Sequence, residues 1–175
     1  MSTATPKHPS ITGGCVCESI RYQISFPEGS VYPPNPCTCQ CTTCRKHSGA
    51  LIVHFITVQL PQITWLSPTN SDSPPNRPSE IHTSSKAVRY FCAKCGTSLA
   101  FKLLELDELE LMAGTLDEDV LNGPHATELT RPIGAQFFCK RVIEGTTDFI
   151  MKSEDADLKK SIKWVEDSSE GKKLD

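Results

Sequence analysis

The cysteines are the residues of this 175-residue chain whose type and spacing best suit chemistry. There are nine of them, and most are separated from the next by only one or two residues. Cysteines this close together cannot easily bridge one another within a strand, and an odd count cannot pair completely. Clustered thiols in a reducing compartment are typical of metal ligands or catalytic groups. The pattern therefore favours metal binding over a disulfide framework.

The pairs Cys15-x-Cys17 and Cys92-x-x-Cys95 form the first candidate metal site. Four thiolates in two pairs provide the tetrahedral ligation of a structural zinc, with Zn–S bonds of about 2.3 Å and no open position. Gly96 follows the second pair, where a turn needs a positive φ. Zinc here would fasten the N-terminal strand to a central hairpin and supply folding free energy. The alternative is that Cys15 and Cys17 are ordinary strand residues.

A run of the form C-x-C-x-C-x-x-C contains the second candidate site. Its cysteines are Cys37, Cys39, Cys41 and Cys44. Two arrangements fit this spacing. If all four bind, the site is closed and structural; if Cys39, Cys41 and Cys44 bind alone, a fourth position stays open for water or a ligand.

An open site of three thiolates suits sulfur chemistry better than hydrolysis. Its zinc would carry a net charge of about −1, which favours holding a soft thiol and lowering its pKa over making hydroxide. Arg45 and Lys46 follow the run and can offset this charge, and Arg45 can hold a carboxylate through two N–H groups. His47 is a candidate for proton transfer. The alternatives are a solvated turn for Arg45 and Lys46 and a surface role for His47.

Other polar residues give weaker signals. His54 lies in an apolar run and is interpreted as a core or cleft histidine, and the isolated Cys139 as a small buried hydrophobe. The acidic stretches at 107–110 and 117–119 are interpreted as solvated strand edges and turns.

Short alternating segments and frequent turns predict one mainly β domain. Strands are predicted at 20–25, 51–58, 62–66, 87–91, 98–103 and 108–113. Residues 67–80 contain four prolines and are predicted to form a surface loop. Apolar residues at helical spacing predict a C-terminal helix over 154–166. The predicted organisation is a flexible leader at 1–12, a zinc domain at 13–150, and a helix and tail at 151–175.

Charge and hydropathy exclude several classes of partner. The net charge is −3 and the pI near 6, so direct nucleic-acid binding is disfavoured. No targeting signal and no membrane-spanning stretch is recognised, which predicts a cytoplasmic protein, with the nucleus as the alternative. The expected partner is a small-molecule thiol or thiol adduct.

Several motifs taken together and in order resemble one known family. They are Gly13-Gly14-Cys15-Val16-Cys17, Cys39-Gln40-Cys41-Thr42-Thr43-Cys44-Arg45-Lys46, Tyr90-Phe91-Cys92-Ala93-Lys94-Cys95-Gly96-Thr97 and Gly114-Thr115-Leu116-Asp117. The family is that of the glutathione-dependent formaldehyde-activating enzymes, which includes centromere protein V. The similarity spans residues 13–140.

The resemblance implies an Mss4-like fold of zinc-stapled β-sheets with two zinc sites. Cys15, Cys17, Cys92 and Cys95 would hold a structural zinc, and Cys39, Cys41 and Cys44 a labile zinc near a glutathione site. The implied activity is that of a carbon–sulfur lyase, in which formaldehyde and glutathione form S-hydroxymethylglutathione.

Four positions depart from the family pattern. Glu18 replaces a glycine, Gln40 replaces the histidine of a C-H-C segment, Cys37 is an additional thiol, and Ala135-Gln136 replaces a position often filled by histidine. The departures near the second site bear on the expectation of a formaldehyde substrate more than on the expectation of the fold.

The leading hypothesis is therefore a zinc-dependent lyase-type enzyme acting on glutathione or a thiol adduct, with Arg45 orienting a carboxylate. Three alternatives stay open. They are a non-catalytic glutathione or zinc binder, a lyase or isomerase acting on a larger organic substrate, and a protein- or chromatin-binding module whose second site is closed by Cys37.

Overall fold

The computed structural model describes residue 8 and residues 10–67, 75–166 and 171–174. The strands in these ranges are β1 (Ile11–Gly14), β2 (Arg21–Ile24), β3 (Pro36–Cys39), β4 (Val53–Gln59), β5 (Ile63–Leu66), β6 (Ser79–His82), β7 (Ala87–Phe91), β8 (Ser98–Leu103), β9 (Glu108–Met112), β10 (Ala135–Phe137) and β11 (Ile162–Lys163). The α-helices are α1 (Thr42–Ser48), α2 (Glu118–Leu121), α3 (Ala126–Thr130) and α4 (Ala156–Lys160).

Two sheets organise the described strands. The smaller is antiparallel with the order β1-β2-β5, and the larger has the order β11-β10-β3-β4-β9-β8-β7-β6. In the larger sheet β10 runs parallel to both β3 and β11, whereas the strands from β3 to β6 pair antiparallel. The strand β3, which ends at Cys39, therefore lies beside β10, and the C-terminal strand β11 lies on the other side of β10.

The main core lies between the two sheets. Tyr22 and Ile24 of β2 pack there with Ile56 and Val58 of β4 and Leu111 of β9, all fully buried. Because side chains alternate along a strand, the residues between these point to the opposite face of the larger sheet. That second face carries a smaller cluster of cysteines and aromatic residues.

The motif at residues 114–117 is hydrogen-bonded to strands β1 and β2 of the smaller sheet. Asp117 accepts hydrogen bonds from Thr12 and from both terminal nitrogens of Arg21, and Thr115 is bonded to the hydroxyl of Tyr22 at 2.8 Å. A Cβ at Gly13 would lie 2.4 Å from the carbonyl oxygen of Thr115. Glycine is therefore required where this segment crosses β1.

The mainly β fold expected from the sequence is confirmed. The six predicted strands correspond to β2, β4, β5, β7, β8 and β9. Part of the predicted leader, residues 1–7 and 9, and part of the predicted loop, residues 68–74, lie outside the described residues. None of the helices in the described ranges has the length and apolar character needed to cross a membrane.

The predicted C-terminal helix is wrong in extent. It was expected over 154–166, but α4 spans Ala156–Lys160 and the chain then joins the larger sheet as β11. Asp155 caps the helix by accepting from the N–H groups of Asp157 and Leu158. Ile162 instead pairs with Ala135 of β10. Sheet pairing at this edge supplies backbone hydrogen bonds that a longer isolated helix would have to match unaided.

Candidate metal centres and the adjoining cavity

The first cluster brings together the four cysteines predicted for it. The Sγ atoms of Cys15, Cys17, Cys92 and Cys95 all lie within 4.8 Å of one another. The Cys15–Cys17 and Cys17–Cys92 Sγ–Sγ distances are 3.5 Å and 3.8 Å. A tetrahedral zinc with Zn–S bonds of about 2.3 Å requires sulfur–sulfur separations of about 3.8 Å. The residues present therefore fit a closed tetrathiolate site.

Hydrogen bonds from the two turns orient these sulfurs. The hydroxyl of Ser19 lies 3.0 Å from the Cys17 sulfur, and the amide of Ile20 donates to Cys15 at 3.3 Å. Thr97 is bonded to the Cys95 sulfur at 3.2 Å and lowers the pKa of that thiol to about 5. Gly96 has a φ of +80°, as the turn after Cys95 requires. The turns thus favour the thiolate form that a metal ligand needs.

Glu18 has an unfavourable backbone conformation in the first turn. Its φ is +58°, and its amide donates to the carbonyl oxygen of Cys15 at 2.8 Å. The left-handed region is disfavoured for residues with a Cβ, which explains why glycine suits this position. The substitution leaves the turn and its four sulfurs in place.

The second cluster is built from a strand end and a helix start. Cys39 ends β3, Cys41 is the N-cap of α1, and Cys44 lies in its first turn. The Cys41 sulfur accepts from the amide of Cys44 at 3.2 Å, so one thiol both caps the helix and faces the cluster. The three Sγ atoms lie within 4.8 Å of one another. This set can hold one metal ion.

Cys37 does not join these three sulfurs. It lies two residues before Cys39 in β3, and its thiol donates to the carbonyl oxygen of Asn35 at 3.3 Å. Burial, with the nearby charge of Glu110, raises the pKa of the Cys37 thiol to about 12. Cys37 is not among the sulfurs that lie within 4.8 Å of one another. The geometry therefore favours the open arrangement over the closed one.

Arg89 is the residue of this site that the sequence analysis missed. It lies on β7 and is 4% exposed, and its Nη2 donates to the Cys44 sulfur at 3.4 Å. Its guanidinium stacks on the ring of Phe101 at 5.2 Å. Among the described residues, its Nε and Nη1 atoms have no hydrogen-bond partner and no carboxylate forms an ion pair with it.

A buried cation without a carboxylate partner needs another negative charge nearby. Hydrogen bonds from the thiols of Cys39 and Cys44, together with the charge of Arg89, lower the pKa of Cys41. Arg89 therefore acts as the counter-ion of the second cluster. No local spacing links it to residues 39–44; the signal that was available was an arginine at an inward position of the strand leading to Cys92.

A cavity of about 1230 Å³ adjoins the second cluster. Cys39, Cys41 and Cys44 form part of its wall, and so does Arg89. Four phenylalanines contribute to the wall as well, namely Phe55, Phe101, Phe137 and Phe138. The three sulfurs are thus accessible from a largely apolar space.

One row of paired residues crosses the floor of this cavity. Thr57 of β4 is opposite Glu110 of β9, Glu110 is opposite Phe101 of β8, and Phe101 is opposite Arg89 of β7. Glu110 was interpreted from the sequence as a solvated strand edge, which is wrong. Its Oε2 accepts from Thr57 at 2.8 Å, and burial raises its pKa to about 7.

Arg45 and His47 are not among the described residues that line the cavity. Arg45 donates through Nε to the carbonyl of Leu51, and through Nη2 to Gln40 and to the carbonyl of Arg141. These bonds favour a structural role for Arg45. Burial and the charge of Arg89 lower the pKa of His47. The catalytic roles of both residues stay predictions.

The departures from the family pattern differ in their closeness to the cavity. Cys37 contributes to its wall. Gln40 is buried and accepts from Thr147 at 2.7 Å as well as from Arg45, and Gln136 donates to Ser161 at 2.8 Å. Gln40 and Gln136 therefore serve the packing of neighbouring segments. Cys139 is buried, as expected.

Comparison with known proteins gives a family match over residues 10–141, to the glutathione-dependent formaldehyde-activating enzymes. An uncharacterized lyase of Schizosaccharomyces pombe is 29% identical over 93 residues, which is 53% of this chain and 58% of that protein. The chain thus matches little more than half the length of this curated relative. A structural-genomics crystal structure of a Rhodobacter sphaeroides protein aligns at 17% identity with a TM-score of 0.46, over 66% of this chain and 93% of that chain.

Proposed function

The chain belongs to the glutathione-dependent formaldehyde-activating enzyme family, and from that premise we propose that it is a zinc-dependent, carbon–sulfur lyase-type enzyme. The substrate in this proposal is glutathione or another thiol adduct, whose sulfur is directed to Cys39, Cys41 and Cys44. The name of the yeast relative, a lyase, supports the same class of reaction.

The observation that carries this proposal is the meeting of three sulfurs with a cavity. Cys39, Cys41 and Cys44 converge on the wall of the space, whereas Cys37 is bonded to a carbonyl oxygen instead. A metal held by three protein ligands retains a position for a further ligand. The first cluster, with four sulfurs, retains none.

When bound at the second cluster, zinc supplies a soft Lewis-acidic position that favours the thiolate form of a substrate thiol. Cys39 and Cys44 are buried and hold this position at the end of the cavity. Arg89 donates a hydrogen bond to the Cys44 sulfur and offsets the negative charge of the three thiolates. The phenylalanine rings add apolar surface beside the cluster, and charge interactions are stronger in less polar surroundings.

In the addition direction, the substrate thiol loses its proton, a C–S bond forms at an aldehyde carbon, and the carbonyl oxygen gains a proton. In the lyase direction the C–S bond breaks, and thiol and aldehyde are recovered. His47 is proposed to move the proton, directly or through water, and Arg45 to orient a carboxylate. Neither is among the residues that line the cavity in the described part of the chain, so each role needs its own test.

The test combines metal analysis with turnover of zinc-loaded protein. We expect about two zinc ions per chain in the natural sequence and about one in Cys41→Ser, with loss of turnover of the formaldehyde–glutathione adduct. Because thiols add to formaldehyde spontaneously, exchange must be measured by NMR against a protein-free sample. Cys37→Ser is the matched control and should keep both ions.

Three results would overturn the proposal. The first is a Cys41→Ser protein with full zinc and full turnover. The second is saturable glutathione binding with no rate above the spontaneous reaction, which indicates a non-catalytic binder. The third is loss of zinc in Cys37→Ser, which indicates the closed site of an interaction module.

A second candidate function is a lyase or isomerase acting on a larger organic substrate at the same centre. Small-molecule pockets are commonly about 300–1,000 Å³. The cavity volume of about 1230 Å³ lies above this range, which favours a larger substrate. Its aromatic walls also suit an organic skeleton better than a polar tripeptide.

A further inference from the structure

We propose that the cavity beside the second cluster takes an aromatic ligand carrying a protonated amine, and that this amine pairs with Glu110. The inference rests on the proposed function and narrows its substrate from glutathione to another thiol adduct, whose organic part would be this ligand and whose sulfur would meet the three cysteines. It rests on three features of the cavity: the aromatic rings in its wall, the charges that line it, and the position of Glu110, which has no ion-pair partner among the described residues.

The walls fit a flat apolar body. The ring of Phe55 meets that of Phe101 edge-on at a centroid distance of 5.6 Å, and lies nearly parallel to that of Phe137 at 6.1 Å. Rings held at such angles present both faces and edges, and aromatic guests pack on either. A polar peptide would lose its hydration here without gaining matching hydrogen bonds.

The charges on the wall favour a cation. Four carboxylates line the described part of the cavity, at Glu28, Glu105, Glu108 and Glu110. Two cationic residues line it as well, at Lys86 and Arg89. Arg89 is bonded to the Cys44 sulfur and balances the second cluster. Glu28, Glu105 and Lys86 are exposed, so the less exposed charges of the wall are those of Glu108, Glu110 and Arg89. With Arg89 bonded to the second cluster, the two remaining carboxylates attract cationic ligands and repel anionic ones.

Glu110 is the carboxylate best placed to bind such a cation. It lies at the centre of the sheet, opposite Phe101, and one of its oxygens is held by Thr57. No lysine or arginine among the described residues forms an ion pair with it. A partly buried carboxylate without a cation has an uncompensated desolvation cost, which a ligand ammonium group would offset. Its pKa of about 7 reflects that cost.

Glutathione fits these features less well. At neutral pH it carries two carboxylates and one ammonium group, and its thiolate form has a further negative charge. Each carboxylate needs a cationic or N–H partner, whereas acidic groups predominate on the wall. The cavity therefore favours a ligand whose organic part carries a positive charge and no carboxylate.

The test is a matched series of ligands binding to zinc-loaded protein, measured by calorimetry at pH 8. The series is 4-(aminomethyl)benzenethiol, 4-methylbenzenethiol and 4-mercaptobenzoate, which share a shape and differ in charge. A thiol-free pair, benzylamine and benzoate, repeats the comparison without sulfur. We expect the amine to bind at least about tenfold more tightly than the carboxylate in each set.

Two variants locate the effect. Glu110→Gln should reduce the amine-to-carboxylate ratio severalfold. Glu80→Gln removes the same charge from the exposed β6 strand, outside the cavity wall, and should leave the ratio unchanged. The ratio in the natural sequence tests the charge preference even if a variant folds poorly.

The outcomes separate this inference from the proposed function. Equal affinities, a preference for carboxylates, an equal response of both variants, or no saturable binding up to millimolar concentrations would overturn the inference. If 4-methylbenzenethiol, whose ring substituent is uncharged, binds as tightly as the amine, the inference is overturned as well. If the amine preference is found but thiols bind no better than their thiol-free counterparts, the inference stands and the proposed sulfur–metal contact is wrong.

Discussion

The two cysteine clusters use the same ligand atoms in different surroundings. In the first, four sulfurs are enclosed by two turns whose hydroxyl and amide groups bond to them. In the second, three sulfurs lie on a cavity wall beside a buried arginine. The fourth ligand and the nearest charge, rather than the ligand type, therefore distinguish a site built for stability from one suited to chemistry.

The largest expected difference is between Cys92→Ser and Cys41→Ser. Cys92 is buried in the main core and follows β7, and its sulfur meets those of the N-terminal pair, so its loss removes one ligand of the cross-link that a metal ion can form there. We expect Cys92→Ser to lower the free energy of unfolding by about 4 kcal/mol or more. Cys41→Ser should lower the free energy of unfolding by less, because its cluster lies beside a cavity and outside the main core. Denaturant unfolding with parallel zinc analysis measures both, and equal losses would contradict the comparison.

A second difference concerns Arg89. Arg89→Met should weaken zinc binding at the second cluster about 10- to 100-fold, because the negative charge there loses its counter-ion. The first cluster serves as the internal control, and Arg89→Lys should recover part of the affinity. Competition with a chromophoric chelator resolves the two sites. A uniform loss from both would instead indicate general unfolding.

A third prediction concerns the cavity carboxyl, which has no counterpart at the first cluster. The folded-state pKa of Glu110 is about 7, above its usual value near 4.5, so the folded protein binds this proton more tightly than the unfolded chain. Its contribution to stability is therefore present below pH 4.5 and is lost as the pH rises through 7. The groups around it are Thr57, Glu108, Cys37 and, farther along the row, Arg89.

Glu110→Gln should consequently stabilise the protein at pH 8, by about 1–2 kcal/mol after allowance for partial exposure, and have little effect at pH 4.5. Thermal unfolding at both pH values measures this. The control is Glu108→Gln, two residues away on the same face, which removes a carboxyl that is bonded to Gln59 instead and should not reproduce the stabilisation. An equal effect at both pH values would show that ionisation is not the cause.

The smallest expected effect is in the turn of the first cluster. Glu18→Gly should stabilise the protein by about 0.5–1 kcal/mol, because glycine adopts the observed φ of +58° without strain. Gln23→Gly, in the extended strand β2, is the control and should destabilise it. Chemical denaturation measures the two changes, and destabilisation by both would contradict the conformational argument.

Much of the architecture was predictable because its strands follow local patterns. Alternation at Tyr22 and Ile24, and the β-branched run of β4, indicate strands whatever their neighbours. The short strands β1, β3, β6, β10 and β11 were missed because they have no such pattern and are held by pairing with neighbouring strands. The strands β1 and β6 begin within the predicted leader and the predicted loop. The C-terminal segment showed the same limit, since its apolar spacing suits a helix but its hydrogen bonds lie in the sheet.

The candidate site was predictable in its ligands and less so in their surroundings. Cysteine spacing indicates the candidate ligands, because C-x-C and C-x-x-C segments bring thiols close together along the chain, but it leaves open whether Cys37 joins the second cluster. Arg89 and Glu110 lie more than forty residues from the second cluster and share its cavity because β7, β8, β9 and β4 are neighbours in the sheet. Arg45, adjacent to the cluster in sequence, is instead bonded to backbone carbonyls.

The sequence by itself determined the two sets of thiols, the strand pattern and the family resemblance, because these depend on spacing along the chain. The tertiary structure decided that Cys37 stays outside the second set, that Arg89 is its counter-ion and that Glu110 faces the cavity. These features depend on strand order and register, which bring distant residues within a few ångströms and remove them from water. Charge and pKa follow from that environment, and no local pattern specifies it.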